Sequence, residues 1–206
     1  MASGRAPQVL RTIRCLIVDD HPAIRVGLRE LLSVEADLEV AAACASAEEA
    51  LTFAERCEQP LQVAIVDYQL GGHSGLWLSR RLRALPDPPR VLVYSAFSDH
   101  LLAAAAVVAE ASAVASKSAL PDELAATIRA IARGEQPPLS VPPSLAGSMG
   151  RRLDAVEQAI FGLMASGIGP GEVAETLRLE PHELDARLGA MLRSLEHRPR
   201  PRPAAA

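Results

Sequence analysis

LQVAIVDYQLGGHSG (residues 61–75) is an apolar run that ends on an aspartate, Asp67, and passes through a glycine-rich turn into a helical pattern over 75–85. The same unit recurs on either side of it. CLIVDD (15–20) precedes a helix over 22–33, LEVAAACA (38–45) a helix over 47–58, and RVLVYSA (90–96) a helix from about 99 to 109. AVASK (113–117) precedes a helix over 121–133 that Pro121 opens. Ser46, with Glu49 three residues on, marks the start of the helix at 47. Strands that are apolar throughout, alternating with helices, predict a five-stranded parallel sheet covered on both faces.

The whole chain of 206 residues is long enough to hold a core without staples, and its 49% apolar content excludes a disordered or collagen-like chain. The net charge of −4 suggests neither a nucleic-acid nor a membrane partner. Cys15, Cys44 and Cys57 form no C-x-x-C pair and read as thiols of a reducing compartment. The N-terminus carries no long apolar core of a secretory signal, and the stretch 101–116 is too short and too alanine-rich for a membrane span. A cytoplasmic protein is expected. One compositional oddity stands out: 20 arginines accompany a single lysine, Lys117.

In an open parallel sheet, ligands bind beyond the carboxyl ends of the strands. Asp19 and Asp20 end the first strand, Asp67 the third, Ser95 the fourth and Lys117 the fifth. The topology thus gathers the unusual polar residues at one edge. Clustered carboxylates suit a hard divalent cation such as Mg²⁺, and an aspartate beside that cation can attack phosphorus. A hydroxyl at Ser95 and a compact ammonium at Lys117 would then pair with phosphoryl oxygens. The chemistry implied is phosphoryl transfer to Asp67.

VDDHP, VDYQLGGHSG, VYSA and ASKSA, in this order, resemble the receiver domain of a two-component response regulator, with the flavodoxin-like fold. The resemblance implies Asp67 as phosphoacceptor and Asp20 as a direct Mg²⁺ ligand. It further implies Asp19 as a neighbour acting through water, the Gln69 backbone carbonyl as another ligand, Ser95 as the hydroxyl that follows the phosphoryl group, and Lys117 as the pairing cation. It also implies a sensor histidine kinase as partner and a phosphorylation-dependent homodimer. Two positions depart from the family pattern: Val114 replaces the usual aromatic three residues before the lysine, and Gly71 replaces a proline in the loop after Asp67. Haloacid-dehalogenase phosphatases use similar residues, but their nucleophile comes first, in Asp-x-Asp. Here the acidic pair comes first and Gln69 cannot act as a general acid, so a turnover enzyme is not expected.

Four prolines and three serines mark residues 136–150 as a linker between this domain (12–135) and a helical module at 151–197, and 198–206 form a tail. Residues 153–195 resemble the LuxR-type helix-turn-helix, which with the receiver implies a regulator of the NarL/FixJ type. Such a module sets its recognition helix in the major groove. In this chain that helix reads Leu184, Asp185, Ala186, Arg187, Leu188, with an acid where a phosphate-facing lysine is expected, and Arg178 stands where the turn carries glycine. Residues 151–197 hold five arginines against eight acids, a net charge of −3. Arg187 is the candidate DNA contact, followed by Arg151, Arg152 and the tail arginines. Two outputs stay open: transcriptional control through DNA, or a protein-interaction module whose helix-turn-helix no longer binds DNA.

Overall fold

The structure is a computed structural model that describes residues 12–96, 100–135 and 153–196. Five strands, β1 (Ile13–Val18), β2 (Leu38–Cys44), β3 (Val63–Asp67), β4 (Arg90–Ser95) and β5 (Ala113–Ser116), form one sheet in the order β2-β1-β3-β4-β5. All pairs are parallel. Helices α1 (Pro22–Ser33), α2 (Ala47–Arg56), α3 (Gly75–Arg83), α4 (His100–Val108) and α5 (Pro121–Ala132) connect and follow them. This is the flavodoxin-like doubly wound fold, in which the reversal of strand order lies between β1 and β3 and opens a crevice at their carboxyl ends.

Local signals behave as the sequence dictates. The Ser46 side chain accepts the Glu49 amide at 3.2 Å, while the Glu49 carboxylate takes the Ala45 amide, one residue ahead of the cap, at 2.7 Å. The sheet faces are closed by two clusters, one joining Ile17, Ile65 and Leu92 to Leu28, Leu124 and Ile128, the other joining Leu16, Ala64 and Val66 to Leu78 and Leu82. Cys15 and Cys44 are buried free thiols, and burial pushes their pKa values up to about 12 and about 11.

Three helices follow: α6 (Ala155–Ala165), α7 (Pro170–Leu177) and α8 (Pro181–Glu196). Asp154 and Glu157 form the expected reciprocal cap on α6, at 2.8 and 2.9 Å. These helices do not close a core of their own. Val93 of β4, Leu102 and Val108 of α4, Ile160 of α6 and Leu184, Leu188 and Leu195 of α8 belong to one continuous apolar cluster. No residue from Leu101 to Ala109 is exposed. A helix lying on one face of a sheet normally keeps a polar outer side; α4 has none, because α6 and α8 cover it. The expected linker 136–150, the tail 198–206, Arg151 and Arg152 lie outside the described residues.

Candidate phosphoacceptor site

The carboxyl ends of β1, β3, β4 and β5 place Asp19, Asp67, Ser95 and Lys117 around one crevice. Asp19 and Asp67 are nearly inaccessible, at 1% and 4%, and Ser95 is buried with them. The Lys117 ammonium lies 2.7 Å from Asp19 Oδ2 and 3.0 Å from Asp67 Oδ2. Burial opposes its charge, yet the hydrogen bonds to Asp19 and Asp67 hold its pKa above the ordinary lysine value. For Asp67 the balance runs the other way. Burial, reinforced by the neighbouring Asp19, raises its carboxyl above the usual range although Lys117 and the Gln69 amide favour the anion. The Lys117 amide donates to the Ser95 carbonyl at 2.7 Å, which ties the ends of β4 and β5 together.

Asp20 is partly exposed beside them. Ligand atoms of Asp19, Asp20, His21 and Asp67 all lie within 4.8 Å of one another. Asp20 Oδ1 is buried without a well-formed hydrogen bond, although His21 Nδ1 is 2.7 Å away. Three carboxylates converging on one point, one with an unsatisfied oxygen, fit a hard divalent cation with oxygen ligands. Such an ion would neutralise charge on phosphoryl oxygens. His21 is exposed at the rim, and His73 stacks on Trp77 at 3.8 Å, outside the carboxylate cluster.

The turn after Asp67 holds a residue whose role the sequence reading missed. Gly75 opens α3 directly under the Asp67 carbonyl, where a β-carbon would lie 2.0 Å from that oxygen. The Gly75 amide donates to the Tyr68 carbonyl at 2.9 Å, and Gln69 bridges to Ser74 across the turn. The glycine-rich motif carried the signal, but the sequence does not say which glycine touches the strand. Gly71 leaves ordinary room beside Asp20 Oδ2, at 3.6 Å from a β-carbon. Val114 pairs with Val93 and packs against the cluster shared with α6 and α8.

On the last helix, Arg187 is engaged within its own module. Its Nη1 lies 3.3 Å from Asp154 Oδ2 and its Nε 3.6 Å from Glu183 Oε1. Asp185 pairs with Arg80 of α3.

Comparison with known proteins agrees with this architecture. Residues 15–129 match the family model described as the response regulator receiver domain. The chain is 32% identical over 186 residues to the transcriptional regulatory protein UhpA of Salmonella typhimurium, covering 89% of this chain and 91% of that protein. Among solved structures, the receiver domain of the putative response regulator NarL from Mycobacterium tuberculosis matches with a TM-score of 0.57 at 25% identity. It covers 61% of this chain and 99% of that domain. The RcsB response regulator of Salmonella typhimurium, at 19% identity, has a similar fold over 90% of this chain and 92% of its own, with a TM-score of 0.56. The chain belongs to the response-regulator receiver family and is a two-component response regulator of the NarL/FixJ type.

Proposed function

We propose that this regulator is switched by phosphorylation of Asp67 by a sensor histidine kinase, with Mg²⁺ held by the carboxylates of Asp20 and Asp67, by Asp19 through water, and by the Gln69 carbonyl. The observation that carries the reading is the pairing of the buried Asp19 and Asp67 carboxylates with the partly buried Lys117 ammonium at the strand ends. An Asp67 carboxylate oxygen forms the new bond to phosphorus as the bond to the phosphodonor breaks. The Lys117 ammonium, already 3.0 Å from Asp67, pairs with a phosphoryl oxygen, and the Ser95 hydroxyl donates to another. The ion, when bound, neutralises charge on the transferring group. Asp67→Asn abolishes labelling by acetyl phosphate in Mg²⁺; label retained on another residue would overturn the assignment.

For the output, control of transcription through the helix-turn-helix as a phosphorylation-dependent dimer is supported by UhpA, which is named a transcriptional regulatory protein. A second reading, a protein-interaction regulator that does not bind DNA, is favoured by one specific observation: the acid of the recognition helix is paired with the receiver domain. Fluorescence anisotropy with random duplex DNA at low salt separates them. No binding by the phosphorylated protein would sink the transcription reading.

A further inference from the structure

β4 divides its side chains between the two faces of the sheet. Val93 joins the apolar cluster shared with α4, α6 and α8, while Tyr94 turns the other way, among Leu124, Ala125 and Ile128 of α5. Tyr94 is buried, opposite Asp67 of β3 and Ala115 of β5 in the strand register. Its carbonyl accepts the Tyr68 amide at 3.0 Å, one residue beyond Asp67. The phenol hydroxyl lies 3.5 Å from the Lys117 carbonyl, to which it can donate, and the Lys117 ammonium stands over the ring, 5.9 Å from its centre. One tyrosine thus flanks both ends of the chain's single lysine.

Lys117 needs such support. Its ammonium is a point charge on a flexible stem, and it must stay between two buried carboxylates, 2.7 Å from Asp19 and 3.0 Å from Asp67, although burial opposes its charge. An aromatic face attracts a cation without taking up its hydrogen-bond donors. The ammonium protons therefore remain available to oxygen, which a further acid in the same place would prevent. The hydroxyl meanwhile fixes the backbone from which the stem starts. The charges of the site reach the phenol in return: burial raises it, Lys117 draws it down and Asp19 pushes it up. Val114 cannot serve in this way, because its side chain has neither ring nor hydroxyl and packs with the cluster on the α4 side.

We propose that Tyr94 is a positioning residue for phosphoryl transfer to Asp67. It acts through Lys117, whose ammonium it holds over its ring and whose carbonyl it holds by its hydroxyl, and its seat among the α5 side chains fastens the lysine to that helix. This rests on Asp67 being the phosphoacceptor, as proposed above.

Tyr94→Phe, Tyr94→Leu, Lys117→Met and the double variant Tyr94→Leu with Lys117→Met, each in the full chain, test it. The rate of Asp67 labelling by acetyl phosphate in Mg²⁺ is read beside Tm. Tyr94→Leu is expected to label about tenfold more slowly, and Tyr94→Phe, which keeps the ring, to stay within about threefold of the wild type. In the Lys117→Met background Tyr94→Leu is expected to cost no further rate, whereas damage to packing alone would slow both backgrounds equally. Incorporated meta-fluorotyrosine gives a second readout, since the chain holds two tyrosines and Tyr94→Phe assigns them. Lys117→Met is expected to shift the Tyr94 fluorine resonance more than that of Tyr68; should Tyr94→Leu fail to fold, this resonance decides. Three results would overturn the proposal: Tyr94→Leu labelling at the wild-type rate, equal losses in both backgrounds, or a Tyr94 resonance indifferent to Lys117→Met. Any of these with normal wild-type labelling removes this proposal alone. A wild type that takes no label on Asp67 removes the phosphoacceptor reading with it.

Discussion

Gly75 lies so close beneath Asp67 that a methyl group at position 75 would stand 2.0 Å from the Asp67 carbonyl oxygen. The first turn of α3 is thereby pressed against the end of β3, and Asp67 is held by backbone contact as well as by its side-chain partners. Gly75→Ala forces one of the two to move. The expected result is destabilisation of about 1–3 kcal/mol by chemical denaturation, the usual cost of overpacking, together with loss of Asp67 labelling. A variant that labels normally at wild-type stability would show that the turn is slack.

Asp67 is also a source of instability. Burial raises its carboxyl above the ordinary value of 3.8, so the folded protein binds this proton more tightly than the unfolded chain. Stability is then lost as pH rises from 3.8 through the folded value, the reverse of a salt-bridged carboxylate. Asp67→Asn removes the buried charge and is expected to melt a few °C above the wild type at pH 7. The gap should close as pH falls below 3.8. Differential scanning calorimetry across this range reads the difference directly.

Arg178 holds a left-handed conformation, φ 56° and ψ 42°, at the end of α7. An L-residue with a β-carbon is strained there by roughly 1–2 kcal/mol, and glycine is not. Arg178→Gly is expected to stabilise the chain by about 0.5–1 kcal/mol in urea melts, part of the relief being offset by the freer unfolded chain.

Arg187 joins the cap of α6 to the first turn of α8 through Asp154 and Glu183. Arg187→Ala should cost roughly 0.5–1 kcal/mol of stability, the scale of a partly exposed ion pair. Duplex affinity should not change. A selective loss of DNA binding without loss of stability would instead support Arg187 as a DNA contact.

The crevice at the strand ends was legible because a parallel sheet sends every strand end to one edge, so Asp19, Asp67, Ser95 and Lys117 could be gathered from topology alone. Helix starts were legible because caps such as Asp154 with Glu157 are local. The pairing of Arg80 with Asp185 spans 105 positions, and no local rule joins them. The burial of α4 was equally hidden. Its run of leucine, alanine and valine is consistent with any apolar helix, and only the packing reveals that it lies between the sheet and α8. Glu110, with φ 56° just beyond α4, illustrates the same limit: it turns the chain where glycine would be expected, and its carboxyl is raised by burial despite Arg83 and Arg80 nearby.

The cover over α4 comes from Leu153 and beyond, which a ribosome makes after the whole of the sheet. The sheet and its first five helices therefore emerge with one apolar side bare, and they can complete their packing only once Leu195 is free of the exit tunnel. A premature stop after residue 135 would leave that side permanently uncovered, producing an adhesive fragment and a burden on chaperones.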